Sequence, residues 1–449
     1  MPNWLRVAGI LIALLLASSP APALAQAPRA APTVSVQVDA LPALNNAAAF
    51  DPIRATEAYL WRVSGSERLH SDTYFEGRYW LSLVRVLYAL IVAAGLLWLG
   101  VSAAMRDLAE RITRKRAWQT PLYIVQYVLL MTVLTFPLTA YQNFAREHIF
   151  ELSNQSFLAW LSDFGLGTII NLILGTILFS VLYWVVRKAK KLWWLWGAGV
   201  SIIFLVVALA ITPNVIAPIF FSYAPLPEGK LKADIQAMAQ ANGLDASRIS
   251  VINTSDRNKR LTAAVLGFGS HARIVVSDNL LKQGTPVEVK IAIAQEIGHA
   301  VMNHTFKGVA LFSLVMMAGL AFCHYGFLLF ADMYGGIWDV NRQDDPAGLP
   351  LFVALATLFF LFASPFTNWI TRSQEQKADA FALDLARQPD AMATLVLKQS
   401  AYVKLEPGEI EEVLFYNQPT GRSRIGNAMR WKAAHLTDRD IADGPISPQ

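Results

Sequence analysis

The chain has 449 residues, 54% of them hydrophobic and only 16% charged, with a mean hydropathy of +0.38. Soluble proteins carry about 25% charged residues, so this composition excludes a purely water-soluble globule and a disordered chain alike. The single cysteine, Cys323, excludes an internal disulfide framework and a thiolate metal cluster. The net charge of +5 does not point to nucleic acid. Its basic residues gather in short loops beside apolar runs, which is where membrane orientation places them.

The N-terminus reads as an export signal. Arg6 precedes an apolar run from Val7 to Ala17, and Ala23-Leu24-Ala25 supplies an A-x-A end, so residues 1–25 are expected to be removed before Gln26. Residues 26–80 then form an N-terminal extramembrane segment.

Six apolar runs have the roughly 20 residues that a bilayer crossing needs. They fall near 81–103, 121–141, 168–186, 193–219, 306–330 and 350–370. This gives four spans in 81–219 and two in 306–370. One connection holds Arg106, Arg111, Arg114, Lys115 and Arg116, and another holds Arg187, Lys188, Lys190 and Lys191. The positive-inside rule puts both in the cytoplasm. Residues 220–305 and 371–449 then lie together on the outer face. The loop 331–349 counts as cytoplasmic, although it is acidic through Asp332, Asp339, Asp344 and Asp345.

Within 220–305, Lys230 to Gln240 has helical spacing and stops at Asn242-Gly243. Ile249 to Ile252 and Arg273 to Val276 are β-branched runs that read as strands. Thr285-Pro286-Val287-Glu288 opens a helix with a capping box and a proline at its first position.

That last helix carries Gln295-Glu296-Ile297-Gly298-His299. Zincins place His-Glu-x-x-His on a helix, so that two imidazoles share one face around zinc and the Glu serves as general base. Here His299 and Glu296 are present, and Gln295 stands where the first histidine would be. After the last span, Glu375 and Asp379 lie four apart on one helical face. A carboxylate from a second helix is the usual completion of a zinc site, and a neighbouring carboxylate can orient a ligand. His304, five residues past His299, is expected on a different helix face. His271 and His324 read as structural, and Trp193, Trp194 and Trp196 as interfacial anchors.

The Glu-x-Gly-His helix, the two spans after it and the Glu375-Gln376-Lys377-Ala378-Asp379 helix form one part of a larger pattern. The strand Arg273 to Val276 followed by Asp278-Asn279-Leu280-Leu281, and the late segment Phe415 to Pro419 leading to Arg424-Ile425, complete it. From about Phe50 to His435 the chain resembles the bacterial integral-membrane zinc metalloproteases related to type I CAAX prenyl proteases, peptidase family M48. The resemblance implies a mainly α, polytopic helical membrane protein, with a zincin-like metal helix and a small α/β extramembrane insertion. It implies one zinc ion held by His299, Glu375 and the Gln295 position. Glu296 falls on the general base, Asp379 on a supporting carboxylate, and Arg424 on an arginine close to the site. Leu261 to Val265 corresponds to the strand that receives substrate, and Gln418 to a histidine that would stabilise the oxyanion. The implied partners are a peptide or protein substrate near the membrane and the lipid bilayer itself.

The glutamines at 295 and 418 bear on activity. A carboxamide offers zinc only a neutral carbonyl oxygen, so a weak or absent ion is expected. Losing an oxyanion donor typically costs about 100–1000-fold in turnover. Two readings follow: a membrane zinc endopeptidase of reduced activity, or a silent pseudoprotease that binds peptides or partners.

Overall fold

The computed structural model describes residues 50–244, 247–267 and 273–442. The expected signal segment and His271 lie outside them. Helices dominate. α1 (Pro52–Leu60) is capped by Asp51, whose carboxylate accepts from the Ile53 backbone N–H at 2.8 Å. α2 (Gly65–Trp98), α3 (Val101–Ile112) and α4 (Arg116–Ala140) follow, and α4 runs on through a π-helical turn to Ile149. Next come α5 (Phe157–Ala189) and α6 (Trp193–Ile211).

Among the described residues, five helical stretches are long and apolar enough to cross a bilayer: Gly65–Trp98, Arg116–Ile149, Phe157–Phe220, His304–Trp338 and Pro346–Ala386. The third turns back on itself. Lys190 has a φ of 46° and breaks the helix. A Cβ on Gly197 would then sit 3.6 Å from Leu182 Cδ2, whereas a straight helix would separate those residues by about 22 Å. α5 and α6 are thus an antiparallel hairpin, which accounts for two of the six expected passes.

The helices overrun the apolar runs that reveal them. α2 begins sixteen residues before the expected span start at 81. α10 (His304–Trp338) continues beyond 330, and α11 (Leu349–Ala386) passes 370 without a break. Hydropathy marks where the bilayer ends, while Glu, Gln, Lys and Ala keep good helix propensity beyond it. α11 therefore carries a membrane pass and a polar end as one rigid rod.

The acidic loop between α10 and α11 lies against the basic one. Arg106 Nη2 is 2.6 Å from Asp339 Oδ2, and Arg106 Nη1 is 2.8 Å from Asp345 Oδ2. Asp339 and Asp345 are thus paired with one of the cations that mark this end of the bundle. Trp193 departs from the expected anchoring role. It is buried, and its Nε1–H points at His324 Nδ1 (2.9 Å) and Gln343 Oε1 (3.0 Å), tying α6 to α10. Trp196 remains exposed.

At the opposite end sits the α/β part. β1 (Tyr223–Pro225), β2 (Ile249–Ile252), β3 (Ala263–Leu266) and β4 (Arg273–Ser277) form a sheet of order β1-β2-β4-β3. β2 and β4 are parallel, and β3 runs antiparallel to β4, with Ala264 opposite Val275. β3 is an outer edge. α7 (Lys230–Ala241), α8 (Asp278–Gln283) and α9 (Pro286–Val301) complete this part. The expected capping box is present: the Thr285 hydroxyl accepts from Glu288 N, and Glu288 Oε2 accepts from Thr285 N at 2.7 Å. After α11 come α12 (Pro389–Gln399), α13 (Glu409–Phe415) and α14 (Gly421–Ala434). Ile291, Ile293, Ala294 and Ile297 of α9 are fully buried against Ala382, Leu395, Ile425 and Ala428 of α11, α12 and α14, in one apolar core.

Candidate active site

Two helices place the central residues. α9 presents Gln295, Glu296 and His299, and the polar end of α11 presents Glu375 and Asp379. Their close approach depends on Gly298, because a Cβ there would meet Phe381 Cδ1 at 2.9 Å. α14 adds Arg424, and α12 ends at Gln399 beside it.

The polar contacts form a continuous chain. Arg424 grips Asp379 through Nε–H to Oδ2 (2.7 Å) and Nη2–H to Oδ1 (2.8 Å), and both residues are buried. Arg424 Nη1–H donates to Gln399 Oε1 at 3.2 Å, and Nη2–H donates to Gln295 Oε1 at 3.3 Å. Gln295 Nε2–H then donates to Glu375 Oε2 at 3.0 Å. A guanidinium only donates and a carboxylate only accepts, so these neighbours fix the amide orientation chemically. The carbonyl faces Arg424 and the NH2 faces Glu375.

His299 Nε2 lies 3.6 Å from Glu375 Oε1, beyond hydrogen-bond distance, and is buried without a partner. Burial works against a charged His299, but the Glu375 carboxylate facing it, with Glu296 and Asp379, outweighs that and raises its pKa to about 9. Burial pushes Glu296 up to about 7. The His299 charge and the nearby Val265 backbone amide oppose that rise. The Val265 contact brings Glu296 to the outer edge of β3, the strand expected to receive substrate.

His304 corrects an expectation. Its Nδ1 lies 3.0 Å from His299 Nδ1, with the rings edge to face. α9 and α10 are not one helix. Asn303 breaks the chain in the left-handed region at φ 55°, and the new helix returns His304 toward His299. The contact between the two Nδ1 atoms holds the His299 ring, as partners of metal-binding imidazoles do. Sequence spacing hid this contact, and the Met302-Asn303 break was its only sequence signal. Gln399 was also missed, having no motif of its own. Gln418 lies in the exposed turn between α13 and α14, and none of the hydrogen bonds described above reaches it.

A catalytic zinc takes three protein ligands and a water. His299 Nε2 and Glu375 Oε1 suit two of these, since tetrahedral ligands about 2.1 Å from an ion stand roughly 3.4 Å apart. Gln295 does not fit as the third, because turning its carbonyl inward would set its NH2 against the Arg424 donors. Among the described residues, no group of three His, Cys, Asp or Glu side chains could hold a metal ion. The residues present fall one ligand short of a catalytic zinc centre.

A helical membrane body, a two-helix polar site and an edge strand beside it define the architecture of a membrane metalloprotease. A family model of the CAAX prenyl protease N-terminal region, with five membrane helices, matches residues 62–222, and a model of peptidase family M48 matches residues 225–432. The chain belongs to peptidase family M48, a zinc-dependent family of metalloproteases. It is 25% identical over 331 residues to the uncharacterized metalloprotease YhfN of Bacillus subtilis, which covers 73% of this chain and 78% of that one. It is 26% identical over 320 residues to CAAX prenyl protease 1 of Saccharomyces cerevisiae, covering 66% of this chain and 69% of that one. Its fold is similar to the crystal structure of S. mikatae Ste24p, with a TM-score of 0.69 at 18% identity over 96% of this chain and 99% of that one.

Proposed function

We propose that this chain binds extended peptides at the membrane surface and hydrolyses them slowly or not at all. The observation behind this reading is the Gln295 amide, held between Arg424 and Glu375 at 3.3 and 3.0 Å. It occupies the third ligand position as a hydrogen-bonding bridge, and it takes up the second oxygen of Glu375. β3 is the terminal strand of its sheet, the kind of edge to which an extended peptide adds as a further strand.

A second reading, a zinc endopeptidase of reduced activity, draws support from His299 and Glu375. Their facing atoms keep the separation of two ligands on one ion. Glu296, beside β3, would then be its general base. Substrates under either reading are membrane-associated proteins, with prenylated peptides suggested by the relatives' names alone. The positive-inside count supports a reading in which the site lies on the periplasmic face of a bacterial inner membrane. Thiol labelling of single cysteines introduced at Ser255 and Arg114 checks this, with only the first open from outside.

The deciding assay uses an unfolded membrane-associated protein substrate. Native protein is compared with Gln295→His, Gln295→His plus Gln418→His, and Glu296→Gln. Near-background turnover in the native chain, rising in the histidine variants, supports the first reading. Robust native turnover that Glu296→Gln abolishes supports the second.

A further inference from the structure

Beside the site lies a buried cluster that the site network does not use. Tyr74 on α2 donates its hydroxyl to Glu147 Oε1 at 2.6 Å. Arg146 stacks over the Tyr74 ring at 4.1 Å and donates to the Tyr74 carbonyl. Arg260, from the segment leading into β3, stacks over Tyr402 at 5.2 Å. Arg260, Arg146 and Arg78 all act on Glu147. Three arginines thus favour the charge of one carboxylate.

Arg260 is 3% exposed, yet its Nε and Nη2 have no hydrogen-bond partner. The unpartnered acceptor beside them is Glu147 Oε2. Buried guanidinium groups are costly without a partner. A water between Arg260 and Glu147 would satisfy one donor and the one acceptor. The other donors, and the excess positive charge, would remain. An anion would meet both the open donors and that charge.

Position says where that anion comes from. Arg260 lies five residues before Val265, whose backbone N–H meets Glu296. At about 3.3 Å per residue this is roughly 16 Å along an extended strand. The hydroxyl of Tyr402, under Arg260, bonds the Leu261 backbone, which fixes the ring against the same segment. A peptide on the free edge of β3, with its central bond at Glu296, reaches Arg260 with a group about four or five residues further along. We propose that Arg260, backed by Arg78 and Arg146, is a carboxylate-binding subsite for the peptide held along β3. The carboxylate is either an acidic side chain or the peptide's own terminus. This inference rests on the peptide-binding reading above.

The test is fluorescence anisotropy with the full-length protein in nanodiscs. Three N-terminally labelled valine/alanine peptides are compared: a neutral C-terminal amide, the same chain with a free carboxylate, and the amide with one glutamate placed five residues from its centre. At least one carboxylate form is expected to bind about tenfold more tightly than the neutral form, the effect of one charge-assisted hydrogen bond. Which form gains identifies the source. Arg260→Gln is expected to erase the preference while leaving the neutral peptide within about twofold. Arg78→Gln is expected to shrink the preference, and it decides the matter if Arg260→Gln fails to fold. Equal binding of all three peptides, or a preference that survives both variants, overturns the subsite alone. No binding by any of them overturns the peptide-binding reading and the subsite with it.

Discussion

Gln295 and Glu375, eighty residues apart in sequence, are joined by an amide N–H that donates to a carboxylate oxygen across 3.0 Å. The bond links α9, which carries Glu296 and His299, to α11, which carries Glu375 and Asp379. It does so with a neutral side chain where a His-Glu-x-x-His helix would carry its first imidazole. The bridge gives the two helices a polar connection that needs no ion.

Removing the bridge should therefore destabilise the protein. Gln295→Ala leaves Glu375 Oε2 and one Arg424 N–H without their partner in a buried site, at a cost of about 1–3 kcal/mol. Gln295→Glu should cost more, since it sets a second carboxylate against Glu375, although it also faces Arg424. Thermal unfolding of both variants measures this. Native-like melting of Gln295→Ala would show that the bridge contributes nothing.

Gly298 sets how closely those helices approach. A Cβ at this position meets Phe381 at 2.9 Å, and overpacking of that kind typically costs about 1–3 kcal/mol. Gly298→Ala should melt lower than native protein, and Gly298→Ala plus Phe381→Leu should recover part of the loss. Failure of the double variant to recover would place the strain elsewhere.

Asp278 predicts a pH dependence. It accepts from Thr254 N (2.8 Å), Ser255 N (3.1 Å) and Lys282 Nζ (2.9 Å), and so holds the 253–258 loop to the start of α8. Burial raises its pKa, but Lys282, Ser255 and the two backbone amides outweigh that and hold the carboxyl at about 2. An unfolded Asp titrates near 3.9. Because the folded value is the lower one, the contribution is fully present above about pH 5 and is lost as pH falls toward 2. Asp278→Asn should flatten the acid limb of a stability–pH curve. An unchanged limb would remove Asp278 from the account.

Much of this fold was legible because each signal was local. The capping box at Thr285, the β-branched strands and the apolar runs declare themselves over a few residues. The pairing of Glu375 with the α9 motif was legible through a resemblance and a spacing of four. Other features depend on where the chain turns. A left-handed Asn303 brings His304 onto His299, although a continuous helix would point it away. Trp193 reads as an interfacial anchor until α10 supplies His324 to bury it. The orientation of the Gln295 amide was also beyond sequence, because Arg424, from α14, decides it. The arginine cluster around Glu147 has no spacing at all, since α2, the end of α4 and the approach to β3 each contribute one member.

The most direct test of the central claim is zinc content, by metal analysis of protein purified without chelators and then equilibrated with zinc. An amide that bridges Arg424 and Glu375 predicts well under one zinc per native chain, and close to one after Gln295→His restores a third strong ligand. A native chain that already holds one tightly bound zinc, unchanged by Gln295→His, would contradict it.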